Sequence, residues 1–213
     1  TPEKGVALPN GFDMSDFQKV PDKASARKEV EAVLNIDLNN RFLLLTVGRQ
    51  VKRKGHEWFI QEVLPKVKSK VMYLVIGEGP EHERLKELIK SSPEKERILL
   101  AGKQSDDILK NSYAASDVFI MPNIPVSGDM EGFGIVLLEA NLAGSPAVAA
   151  DLEGIKDVIE NGKNGYKIEV RDHIRFAEKI DTVLKNELTQ LSDSSRNYVL
   201  ENFAWNKVAQ QYI

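Results

Sequence analysis

Phe42-Leu43-Leu44-Leu45-Thr46-Val47-Gly48-Arg49-Gln50-Val51-Lys52-Arg53-Lys54-Gly55 is the stretch on which the fold turns. It opens as a nearly continuous apolar run, the pattern of a strand covered on both faces, because alternation is needed only where one face meets water. The run breaks at Gly48 into a basic loop that leads to a helical pattern over 56–68. Downstream the same order repeats. Apolar runs at 71–76, 98–101, 118–121 and 147–150 alternate with helical patterns at 81–90, 106–115, 134–143 and 155–160. Strands joined by helical crossovers lie parallel and cross over right-handed, so this order predicts an α/β, Rossmann-like parallel sheet flanked by helices. From Asp172 onward the pattern predicts two or three helices with no strand between them, with an apolar stripe at Ile174, Ala177, Ile180 and Leu184.

The chain has 213 residues, 42% hydrophobic and 29% charged, enough for one globular domain and too apolar for disorder. Lys+Arg 29 against Asp+Glu 32 leaves a net charge of −3, spread along the chain, which argues against a nucleic-acid partner. Cysteine is absent, which removes disulfides and thiol chemistry and fits a reducing compartment, and His56, His82 and His173 are too scattered for a histidine metal site. No apolar run approaches the roughly 18 residues that span a bilayer, and the N-terminus lacks a signal pattern, so a cytoplasmic location is expected. The ends suggest a piece of a longer protein. Residues 1–20 read as an interdomain linker, 203–213 as a terminal helix, and 1–213 as a single domain.

Ligands of such sheets sit beyond the carboxyl ends of the strands, where loops enter helix N-termini. In the loop 48–55, Arg49 and Lys54 can grip a diphosphate, or the turn can be merely basic and solvated. Gly77-Glu78-Gly79-Pro80-Glu81-His82 begins like a dinucleotide fingerprint but has His82 in place of the third glycine, so it fails as one. In the loop after 98–101, Ser105 or Asp106 can cap the next helix, and Lys103 can reach a base or phosphate or stay solvated. The fourth loop, 122–134, places Glu131 just before a helix, with Gly132 and Gly134 letting a ligand approach the helix N–H groups. If the segment were helical throughout, Glu139 would lie roughly 12 Å further along the axis, so the two carboxylates would serve different parts of one elongated ligand. Alternatively Glu131 is a helix-end anion and Glu139 an ordinary helix glutamate. Among Ile135, Val136, Leu137, Leu138, Ala140 and Leu142, however, a carboxylate without a partner would be costly.

Glu131…Glu139 inside EGFGIVLLEA, the VGR…KRKG stretch at 47–55, PNG-x-D at 9–13 and the closing FAW-x-KVA-x-QY at 203–212 together resemble the C-terminal, donor-binding half of a retaining GT-B glycosyltransferase of family 4. The resemblance implies a hexosyltransferase-type enzyme in which Arg49 and Lys54 hold the diphosphate of a nucleotide sugar, with Glu131 as the third catalytic residue at the hydroxyls of the donor sugar. Gly48, Lys103 and the segment Gly132, Phe133, Gly134, Ile135 and Val136 would line the donor, and Glu139 would take the ribose. It implies no cofactor and no metal, only a UDP-, GDP- or ADP-sugar co-substrate, and it leaves open whether Glu131 is a nucleophile or the acceptor attacks from the front face. The loop 151–157 has one glycine where relatives often have two, so it receives no role. The acceptor site would belong to a missing N-terminal lobe, through which alone a membrane would be touched, and this segment by itself would bind donor without turning it over. A non-catalytic nucleotide-binding module and a dehydrogenase are the rival readings, the second weakened by His82.

Overall fold

The structure, a computed structural model, describes Met14, Phe17 and residues 20–152 and 154–209. Residues 9–13 of the PNG-x-D motif, most of the 1–20 linker and Tyr212 of the closing motif lie outside the described residues.

Six strands form one sheet in the order β3-β2-β1-β4-β5-β6: β1 (Phe42–Val47), β2 (Val71–Ile76), β3 (Ile98–Gly102), β4 (Val118–Met121), β5 (Ala147–Ala150) and β6 (Gly165–Ile168). All pairings are parallel, with β1 and β2 in register from Phe42↔Val71 to Val47↔Ile76. This is the expected α/β, Rossmann-like architecture. The leucines of β1 show why a nearly continuous apolar run was needed, since Leu43 and Leu45 pack into one layer and Leu44 into the other. The first layer is covered by α1 (Lys23–Leu34), α4 (Asp106–Ala115), α5 (Ile135–Leu142) and α8 (Leu188–Asn202). The second meets α2 (His56–Trp58), α3 (His82–Ser91) and α7 (His173–Thr182). The short α6 (Ile155–Val158) follows β5, and α9 (Trp205–Ala209) ends the described chain.

Several expectations need correction. The helix expected over 56–68 is α-helical only through Trp58, widens to a π-turn at Phe59–Val63 and tightens to a 3₁₀ turn at Leu64–Lys66. Pro65 stands in that last turn, where its ring and missing N–H forbid a continuing α-helical ladder. β3 is not covered on both faces, because it is an edge strand and buries only Ile98. The sequence pattern missed α1 and β6. Only Ala26 and Val30 of α1 are buried, and β6 has the short run Gly165-Tyr166-Lys167-Ile168, so neither shows a strong apolar period. Of the α7 stripe, Ala177, Ile180 and Leu184 are buried, whereas Ile174 is 47% exposed. The final helices do follow one another with no strand between them.

At the lower end of the sheet, buried Asp117 accepts from Lys23 at 2.7 Å, Arg27 at 3.1 Å and the Leu43 backbone N–H at 2.7 Å. That carboxylate ties α1 to the starts of β1 and β4 and leaves the opposite end, where the strands finish, to carry the variable loops.

Candidate functional site

Strand order reverses between β1 and β4, and in sheets of this kind the ligand crevice lies at such a reversal, beyond the carboxyl ends of the strands. Gly48 closes β1 by donating its N–H to the Ile76 carbonyl at 3.0 Å. The chain then runs through a 3₁₀ turn, Lys52–Lys54, and enters α2 at Gly55 with φ 67°. A Cβ on Gly55 would stand 1.9 Å from the Pro122 carbonyl oxygen, so only glycine lets the β1 loop lie this close to the β4 loop. The Ile124 N–H donates to the Arg53 carbonyl at 2.9 Å and fastens the two loops together.

This closeness brings Glu131 against the basic turn. Its Oε2 lies 2.6 Å from Lys54 Nζ, is bonded by Arg53 Nη1, and accepts from Asn123 Nδ2 at 2.9 Å. Arg53 also donates through Nε to Asp129 at 2.8 Å. Burial pushes the Glu131 carboxyl up, but the charge and hydrogen bond of Lys54, the Asn123 amide and the charge of Arg53 outweigh it and hold the pKa below its ordinary value. Burial pulls the Lys54 ammonium down, and Glu131 offsets this only in part.

Glu131 precedes α5 rather than lying within it, because the chain turns at Gly134 (φ 68°) before the helix begins at Ile135. The 12 Å helical rise assumed from the sequence therefore does not apply. The two carboxylates are separated all the same, each with its own partners. Glu139, on α5, accepts from the Tyr113 hydroxyl of α4 at 2.6 Å, which resolves the concern over a lone carboxylate in an apolar stretch.

The remaining site residues are placed as follows. Gly132 and Ile135 are exposed, Gly134 is buried and Val136 is half-buried. Phe133 turns its ring onto Phe203, with centroids 5.8 Å apart. Arg49 is exposed, and its side chain makes no hydrogen bond or ion pair among the described residues, so the structure leaves it outside the Lys54–Glu131 cluster. Lys103 is exposed after β3, and Ser105, not Asp106, caps α4. The single-glycine loop has a structural task, since a Cβ on Gly154 would stand 1.6 Å from the Gly132 carbonyl oxygen and displace the segment that follows Glu131.

Arg53, Asn123 and Tyr113 were not picked out in the sequence. Arg53 was hidden between Lys52 and Lys54, where only the 3₁₀ turn decides which cation faces Glu131. A separate groove of 490 Å³, lined among others by His56, Trp58, Arg84 and Ile124, holds neither Glu131 nor Glu139.

The sequence matches the family model described as Glycosyl transferases group 1 over residues 27–201. The chain belongs to the group 1 glycosyl transferases. This group 1 chain is 29% identical over 209 residues to the GDP-mannose-dependent alpha-(1-6)-phosphatidylinositol monomannoside mannosyltransferase of Mycobacterium tuberculosis, a match covering 95% of the chain and 53% of that protein. It is 33% identical over 141 residues to the N-acetyl-alpha-D-glucosaminyl L-malate synthase of Bacillus anthracis, covering 65% of the chain and 35% of the relative. Among solved structures, Anabaena HepE in complex with UDP and glucose superposes with a TM-score of 0.80 at 24% identity, over 96% of this chain and 55% of that one. The C-terminal domain of a group 1 glycosyl transferase, LpcC of Francisella tularensis, superposes with a TM-score of 0.75 at 21% identity, over 92% of this chain and 100% of that domain. The fold is thus a Rossmann-like lobe of the GT-B type. The group 1 chain spans about half the length of the mannosyltransferase it matches. Among its described residues no helix is long and apolar enough to cross a membrane.

Proposed function

We propose that this chain is the donor-binding half of a retaining, metal-independent hexosyltransferase that passes a sugar from a nucleoside diphosphate to an acceptor hydroxyl. The observation that carries this reading is the pair of carboxylates after β4: Glu131 sits among Lys54, Arg53 and Asn123, and Glu139 is held separately on α5. A nucleotide sugar is an elongated dianion with hydroxyls at both ends, and it fits that sequence of groups. Glu139 takes the ribose, Lys54 and Arg49 take the diphosphate with the backbone of residues 132–136 and the N-terminus of α5, and Glu131 takes the sugar hydroxyls. Gly48 and Lys103 line the nucleotide side.

Lys54 is paired with Glu131 at 2.6 Å. A diphosphate draws Lys54 toward its own oxygens, and Arg53 and Asn123 then keep Glu131 anionic and in place. A carboxylate whose Oε2 already receives three donors is a poor nucleophile, which supports a hydrogen-bonding role for Glu131 and front-face attack by the acceptor. The acceptor site is assigned to the rest of the longer enzyme, along with any contact to a membrane, so this segment binds donor without multiple-turnover transfer. HepE was solved with UDP and the mycobacterial relative is GDP-mannose-dependent, and both bases, with ADP, belong in the test.

A thermal-shift panel of UDP, GDP and ADP with their sugar conjugates tests the reading. Ligand at 100 times its dissociation constant stabilises by about 2.7 kcal/mol, a shift of roughly 5–10 °C for a domain of this size. One base series is expected to give that shift, larger for the sugar conjugate and reduced in Arg49→Ala. No shift with any compound would overturn the proposal. Equal shifts for bare and sugar-linked nucleotides would favour the non-catalytic nucleotide module.

A further inference from the structure

Tyr113, in the core layer beneath α5, spends its hydroxyl on Glu139. The side chain is 0% exposed, with its ring 6.0 Å from Phe119 of β4 and 6.0 Å from Phe17, among Ala114, Ala115 and Leu138. Phenylalanine would satisfy that packing. A hydroxyl buried there costs free energy unless it is used, and it is used once, as a donor to Glu139 Oε2 at 2.6 Å.

We infer that Tyr113 is a positioning residue for ribose recognition: its buried hydroxyl fixes the plane of the Glu139 carboxylate and so sets how strongly the site distinguishes a ribonucleotide from a deoxyribonucleotide. This rests on the proposed assignment of Glu139 to the ribose. The physical argument is one of orientation. A carboxylate on a flexible stem can rotate, and accepting a pair of ribose hydroxyls requires its lone pairs to face the sugar in one setting. The Tyr113 hydroxyl comes from a different helix, anchored in the core, and an ionic hydrogen bond of this length both directs the group and removes the entropy of holding it. Burial and the neighbouring Glu139 raise the phenol pKa well above its ordinary value, so the group remains a donor at neutral pH.

The test is calorimetry on the 213-residue chain with UDP, GDP and ADP, the 2′-deoxy form of each, and inorganic pyrophosphate as a probe that has no ribose. Wild type is expected to prefer the ribonucleotide of one base series over its deoxy form by about tenfold. Tyr113→Phe should shrink that ratio by about 3- to 10-fold, the range of one well-placed hydrogen bond, and leave pyrophosphate affinity unchanged. 4-Fluorophenylalanine at position 113 fills the hydroxyl's volume without donating and should give the same loss, so the outcome does not depend on Tyr113→Phe folding well. An unchanged ratio in these variants, with wild type discriminating, would overturn the role of Tyr113 and leave the donor-site reading intact. Equal losses for ribo, deoxy and pyrophosphate would show a merely structural hydroxyl and overturn it as well. A wild type that binds a nucleotide without discriminating would refute the ribose assignment of Glu139, and a wild type that binds none of the nucleotides would refute the proposed function; either would take the inference with it.

Discussion

Gly55→Ala is expected to cost the fold more than about 3 kcal/mol and to abolish nucleotide binding. The backbone at this position has φ 67°, where any L side chain other than glycine is strained by about 1–2 kcal/mol. The larger part comes from the contact. A methyl group would stand 1.9 Å from the Pro122 carbonyl oxygen, and because the obstacle is backbone, no rotamer change relieves it. The β1 and β4 loops would have to part, breaking the Ile124–Arg53 backbone bond and pulling Lys54 from Glu131. Urea unfolding of the variant measures the effect. A stability within about 1 kcal/mol of wild type would show that the loops are not packed as described.

The second large effect concerns acid. His56 is 2% exposed, its Nδ1 lies 3.5 Å from the Tyr73 hydroxyl, and its Nε2 has no hydrogen-bond partner among the described residues. Burial first, and then the charge of Lys54, pull its pKa from 6.5 to about 4. The sign follows from linkage. Between pH 6.5 and 4 the unfolded chain takes up a proton that the folded chain refuses, so stability is full above pH 6.5 and falls as the pH drops to about 4. The loss amounts to about 3 kcal/mol at 1.36 kcal/mol per pH unit. Glu131 and Asp181, whose folded pKa values are lowered, also lose stability in acid, but that loss is common to wild type and His56→Gln and cancels in the comparison. The stability difference between the two proteins should therefore shift by about 3 kcal/mol against wild type from pH 7 to pH 4. Parallel curves would mean that His56 titrates freely in the folded state.

The strands that could be read directly were those whose environment is uniform along the chain. β1, β2, β4 and β5 are covered on both faces, and nearly continuous apolar runs such as Phe42–Val47 announce that. β3 also reads as apolar, yet it lies at the edge, because its place in the sheet is set by which strands remain unpaired and not by its own residues. α1 escaped for the opposite reason: it packs beside α4, buries only Ala26 and Val30, and is held by Asp117, a contact 90 residues away from Arg27. The candidate site divides in the same way. Glu131 and Glu139 stand out because a carboxylate beside glycines, or inside an apolar helix, has a visible cost. Their partners do not. Arg53 meets Glu131 across 78 residues and Tyr113 meets Glu139 across 26, and nothing local marks a basic or aromatic residue as belonging to such a pair. Arg49 and Arg53 are chemically identical in the sequence, and only the 3₁₀ turn at Lys52–Lys54 turns one toward Glu131 while Arg49 remains in solvent.

The central claim is that Glu131 faces the donor sugar and Glu139 the ribose, and calorimetry on Glu131→Gln and Glu139→Gln tests it most directly, using a nucleoside diphosphate and its sugar conjugate as paired ligands. Glu139→Gln should weaken both ligands alike, because both carry the ribose and an amide accepts its hydroxyls less strongly than a carboxylate. Glu131→Gln should not weaken the bare diphosphate, since it releases Lys54 from its ion pair, and should weaken only the sugar conjugate, by about 1–3 kcal/mol. Equal losses for the two ligands in Glu131→Gln, with the fold intact by circular dichroism, would contradict the account and make Glu131 an anchor for the basic turn rather than a contact for the sugar.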